Sequence, residues 1–142
     1  MTVHDQLRRG IATESAAETQ ALAERFAATL PPNTTLALHG NLGVGKTTFV
    51  QGLARGLGIT EQVTSPTFNI FTLHRGCTNL LHLDAYRLET ARQVEDLLLA
   101  DFMVTPFCLA VEWPEKIADW LSPQTLHLEL GIEAERHTLR LR

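Results

Sequence analysis

Gly40-Asn41-Leu42-Gly43-Val44-Gly45-Lys46-Thr47 fits the pattern GxxxxGK[ST], with an extra glycine at 43 and Thr48 next in line. Those residue types suit a polyphosphate. Glycines let the backbone turn tightly, so several N–H donors converge on one anion. The helix that should follow points its positive end at the same charge. At the loop's end, Lys46 is placed to reach β- and γ-phosphates and Thr47 to ligate magnesium, whose other ligands are phosphate oxygens and water. From average residue frequencies, a chance match in a chain of this length arises roughly once in a few hundred. The chain has two lysines, Lys46 and Lys116, against ten arginines, and one of the two falls on the position that demands lysine. The plain alternative is a glycine-rich turn with an incidental lysine.

Magnesium bound to phosphates needs carboxylate help, usually from the end of an apolar strand. Two acids qualify: Asp84, closing Leu80-Leu81-His82-Leu83-Asp84, and Glu112, closing Cys108-Leu109-Ala110-Val111-Glu112. An acid at the exit of a buried strand is costly unless it meets water, a cation or a donor. One should hold magnesium and the other orient an attacking water. The residues do not divide these roles, although Asp84 is favoured as the magnesium acid. Thr67, in Ser65-Pro66-Thr67, is a candidate to close over the γ-phosphate and magnesium as a switch threonine does; otherwise it simply starts a strand after a proline. Arg87 is a candidate to offset transition-state charge or a surface ion-pair partner. Trp113 packs either beside the site or in the core. Neither an [NT]KxD motif nor a DxxG switch occurs, so ATP is favoured over GTP.

The elements that must position these residues alternate helix and strand. Ser15-Ala16-Ala17-Glu18 reads as a capping box, opening a helix with an apolar stripe of Leu22, Ala23, Phe26, Ala27 and Leu30. Pro31-Pro32 ends it. A buried strand at 35–39 leads into the loop, and a helix at 46–57 leaves it, with Gly58 at its C′ position. Residues 67–74 and 80–84 form a hairpin. A helix is expected over 89–102, with Val94, Leu97, Leu98 and Phe102 on one side. An apolar strand covers 107–111, a short helix 114–121, and a terminal hairpin 126–132 and 137–141. This is an α/β, three-layer domain of the phosphate-loop NTPase type, its mixed parallel and antiparallel sheet flanked by helices, read as one domain over 1–142.

Composition sets bounds. The chain is 44% hydrophobic and 20% charged, ordinary for a folded domain. Its net charge of −4 and scattered arginines argue against direct, tight RNA or DNA binding. No apolar run is long enough to span a membrane and none follows the N-terminal arginines, so a cytoplasmic protein is expected. Cys77 and Cys108 are expected to be reduced thiols. The six histidines show no zinc-binding spacing.

Four blocks now stand in order: GNLGVGKTT at 40–48, SPTF at 65–68, HLDAYR at 82–87 and VEWPE at 111–115. Together with Glu18-Thr19 they resemble the TsaE family, also called YjeE, across about residues 15–115. The phosphate loop is shared by many families; the other three blocks carry the resemblance. It implies a small bacterial ATPase that uses ATP and Mg2+ and works with TsaD and TsaB. That pair transfers a threonylcarbamoyl group to the adenosine beside the anticodon of tRNAs reading codons that start with A. The family member is not the transferase; its hydrolysis resets the complex, and tRNA is met only indirectly. By resemblance, Lys46 and Thr47 are nucleotide and magnesium residues, Thr67 the switch-like residue, Asp84 the strand-end acid and Glu112 a metal or catalytic acid. Trp113 then lies at the nucleotide site or partner surface, and Thr19 approaches the adenine. The chain departs from the family pattern at Asn41, where aspartate is usual, which bears on any metal or partner role of that carboxylate. Asn41 keeps a side chain able to hydrogen-bond within the turn. Val44 replaces a common alanine. Two other readings of the same loop are a small-molecule kinase, for which no arginine-rich lid segment is visible, and an ATP sensor that does not hydrolyse.

Overall fold

A computed structural model describes residues 1–41, 43–64 and 70–142. Leu42 and residues 65–69, which include Thr67 and the SPTF block, lie outside the described residues.

The strongest apolar runs become the middle of the sheet. β2 (Thr34–His39), β4 (Asn79–Asp84) and β5 (Phe107–Glu112) lie parallel, with β5 between the other two. A strand buried on both faces has no room for a polar face, and every residue of β5 is buried. β6 (Leu126–Glu133) runs parallel to β2 on its other side. Antiparallel strands close both ends: β3 (Phe71–His74) on β4, and β7 (Arg136–Leu141) on β6, followed by β1 (Ile11–Thr13) on β7. The full order is β1-β7-β6-β2-β5-β4-β3.

Side chains alternate across a strand, so each strand feeds two cores. Leu36, Leu38, Leu80, Cys108 and Ala110 face α1 (Val3–Arg9), α2 (Ala16–Ala27) and α3 (Lys46–Gly56). Leu81, Leu83, Leu109 and Val111 face the opposite way, toward α4 (Ala91–Asp96) and two short 3-10 turns. The three-layer α/β arrangement with a mixed sheet is thus as expected. In the first core Phe26 of α2 meets Phe49 of α3, both fully buried, with ring centroids 6.2 Å apart.

Most elements fall where the sequence put them, and the departures have local causes. Ser15 caps α2 by accepting the Glu18 N–H, but the Glu18 carboxylate reaches the N–H of Glu14, not of Ser15, so the box is only half made. α1 and β1 were not foreseen. The helix expected over 89–102 is interrupted: α4 stops at Asp96, Leu98 takes a left-handed φ of 55°, and a 3-10 turn spans Leu99–Phe102. That break rotates the stripe. Leu99 takes the core position, while Leu98 and Phe102 are exposed. The helix expected over 114–121 is a 3-10 turn at Pro114–Ile117 followed by further turns. Within the described part of the first hairpin strand, β3 covers only Phe71–His74. The β6–β7 turn is made by Ala134 and Glu135, both at positive φ, as a two-residue hairpin turn requires.

Candidate functional site

β2 delivers the chain to the C-terminal edge of the parallel strands, and the glycine-rich loop turns there into α3. Gly40 has no room for a side chain: a Cβ would lie 2.6 Å from the Leu130 carbonyl of β6. Gly45, at φ 94°, makes the left-handed turn from which α3 starts at Lys46. The first-turn N–H groups of α3 therefore open at the loop, with Thr47 and Thr48 half-buried beside them. The His137 ring backs the loop, its Nδ1–H donating to the Val44 carbonyl at 3.1 Å. Asn41 and Gly43 are exposed.

Lys46 is the centre of the arrangement. It is only 5% exposed. Its Nζ donates to the Gly40 carbonyl at 2.7 Å and lies 4.0 Å from the centroid of the Trp113 ring. Burial lowers the ammonium's pKa from its ordinary value, while Glu112, Asp84 and Glu115 pull the other way.

The two strand-end acids arrive together because β4 and β5 are parallel neighbours in register: Asp84 stands opposite Glu112. Glu112 is in turn opposite Leu38 of β2, two residues ahead of Gly40. Alternation puts His82, Asp84 and Glu112 on the α3 side of the sheet, following Leu80 and Ala110. Asp84 is half-buried, and its Oδ1 accepts the N–H of Tyr86 at 3.0 Å. Glu112 is 5% exposed, and its Oε2 accepts from Nε2 of His82, itself fully buried, at 2.6 Å. Trp113 follows with a left-handed φ of 56°, which swings its half-buried ring onto Lys46 and against Tyr86, 5.1 Å away. Arg87 is exposed.

A cleft of about 550 Å³ runs along the outside of the loop, bordered by His39, Asn41, Val44, Trp113, Glu115 and Ile132. Thr19 is buried behind the loop. Its hydroxyl shares a 2.6 Å hydrogen bond with that of Thr13, whose strand partner is His137. Lys46, Thr47, Asp84, Glu112 and Trp113 are thus gathered at one sheet edge, whereas the Thr19 hydroxyl is committed to a neighbour. Sequence reading missed His82, His137 and Glu115. His82 stands two residues before Asp84 on a strand and so shares its face, a signal the sequence held; His137 becomes visible only once β7 is placed.

A strand–glycine loop–helix at the edge of a mixed, helix-covered sheet is the arrangement of a phosphate-loop NTPase-like protein. The comparisons agree. The crystal structure of Bacillus subtilis YdiB superimposes with a TM-score of 0.76 at 33% identity, covering 93% of this chain and 82% of that one. The family profile of the threonylcarbamoyl adenosine biosynthesis protein TsaE matches residues 13–140. The chain is 36% identical over 106 residues to the tRNA threonylcarbamoyladenosine biosynthesis protein TsaE of Treponema pallidum, covering 75% of this chain and 78% of that protein. To the Bacillus subtilis protein of the same name it is 42% identical over 112 residues, covering 78% of this chain and 70% of that protein. The chain belongs to the TsaE family of tRNA threonylcarbamoyladenosine biosynthesis proteins.

Proposed function

We propose that this protein binds and hydrolyses Mg-ATP as the accessory ATPase of tRNA threonylcarbamoylation, acting in the cytoplasm on a TsaB–TsaD complex that performs the transfer. The observation that carries the reading is the meeting of Asp84 and Glu112, in register across β4 and β5, beside a phosphate loop whose buried lysine lies over the Trp113 ring and feels the charge of both acids. Polyphosphate would take the place of the Gly40 carbonyl as the partner of Lys46, and the α3 N-terminus would meet the same charge. Thr47 and one strand-end acid would hold magnesium, which supplies charge neutralisation on the phosphates. We assign that acid as Glu112, because it is the more deeply buried of the two and most needs a cation. Asp84, less buried, then orients the attacking water. This reverses the preference that sequence alone gave to Asp84. Thr67 keeps its proposed role as the residue that closes over the γ-phosphate.

The test is ATP hydrolysis measured with and without the TsaB–TsaD pair. Turnover should be slow alone and rise when the pair is added. A rate indifferent to the pair would reject the accessory role. Lys46→Ala should weaken ATP binding at least about 100-fold, equivalent to about 2.7 kcal/mol, with the fold retained. Normal binding by that variant would overturn the phosphate-loop assignment.

A further inference from the structure

Glu112 is held by a residue that the reading above does not use. His82 is fully buried, and its Nε2 lies 2.6 Å from Glu112 Oε2. A carboxylate oxygen only accepts, so Nε2 carries the proton and donates it. The other ring nitrogen, Nδ1, is buried with no hydrogen-bond partner among the described residues. Among the described residues, the single polar contact of the ring is the one to Glu112. A buried polar ring with one nitrogen unpaired costs free energy that a leucine at the same position would avoid. His82 shares its sheet face with Leu80 and stands opposite Ala110 of β5, both fully buried in the first core, so an apolar side chain suits the site.

We propose that His82 is a positioning residue for Glu112. Its Nε2–H fixes Oε2, so that Oε1 is the atom presented to the cation on the phosphates. Magnesium favours this arrangement: it demands near-ideal octahedral geometry at short distances, which a carboxylate satisfies through one oxygen. Ligating carboxylates are commonly oriented by such outer partners, whose loss costs about 10–100-fold in metal affinity or activity. The inference rests on the Mg-ATPase reading and adds the group that aims its acid.

The experiment compares the wild-type protein with His82→Leu, His82→Gln and His82→Asn. ATP binding is measured by calorimetry in EDTA and across a magnesium titration, and hydrolysis is followed over the same titration. His82→Leu should raise the magnesium half-saturation at least about tenfold while leaving the metal-free ATP affinity within about twofold. A glutamine amide reaches the position of Nε2 and an asparagine amide does not. His82→Gln should therefore stay within about threefold of wild type, and His82→Asn should behave like the leucine variant. In a Glu112→Gln background, His82→Leu should have no further effect on the magnesium requirement. If His82→Leu fails to fold, the glutamine–asparagine comparison carries the same decision. An unchanged magnesium requirement in a folded His82→Leu protein, or equal defects in the glutamine and asparagine variants, would overturn the proposal. A wild-type protein that binds ATP without any response to magnesium would instead reject the Mg-ATPase reading itself.

Discussion

His39 and His127 stand with Nε2 and Nδ1 2.8 Å apart, so one ring donates to the lone pair of the other. That geometry admits one proton between them and resists a second. Burial lowers both pKa values from the ordinary 6.5, and Arg142 adds to the effect on each ring, against the opposing pull of Glu115 and Glu129 on His39. The folded protein therefore binds fewer protons than the unfolded chain just below pH 6.5, and stability must rise with pH across that window. Acidification from about pH 7 to about pH 5.5 should lower the thermal midpoint, and the loss should shrink when both histidines are replaced by glutamine. Equal midpoint shifts in the two proteins would contradict this. His39 is the last residue of β2 before the loop, so the same window should loosen the strand that delivers Gly40.

At the scale of elements, α3 carries Lys46 at its start and two glycines along the face that meets α2. A Cβ at Gly52 would lie 2.3 Å from the Gln20 carbonyl, and one at Gly56 2.7 Å from that of Glu24. At Gly52 the obstacles are all backbone, which has little freedom to withdraw; at Gly56 the Ala27 Cβ, 2.6 Å away, joins them. Alanine would bring about 1 kcal/mol of helix propensity. Overpacking in such a place costs about 1–3 kcal/mol, and an approach this close belongs at the upper end. Gly52→Ala should therefore lower the urea midpoint. It should also weaken the proposed ATP binding, because moving α3 off α2 moves the glycine-rich turn assigned to the phosphates. A stabilised variant would mean that the helices separate at no cost.

For the molecule as a whole, the sequence exposed what depends on neighbouring residues. The phosphate loop, the apolar strands that become β2 and β5, and the two acids at strand exits are all local patterns. What it hid depends on partners far along the chain. β1 is three residues long and exists because Ile11 pairs with Leu139, a partner 128 positions away. The Glu112–His82 contact arises from the register of two strands separated by α4 and a long connection. Periodicity over 89–102 was correct at Val94 but lost its phase at Leu98, where one left-handed residue hands the core seat to Leu99. Thr67 lies outside the described residues, so its place in the site rests on sequence and resemblance.

Trp113 and Trp120 are the only tryptophans in the chain, and only Trp113 carries an ammonium 4.0 Å from its ring. That makes the lysine an optical partner of the indole. When Lys46 leaves the ring for a phosphate, the electric field across the chromophore changes, and the emission must change with it. In a Trp120→Phe background the protein's own ultraviolet fluorescence should then follow nucleotide occupancy without any label, and the signal should vanish in Lys46→Ala. The residue proposed to grip the phosphates would thereby announce, in light, whether the site is full.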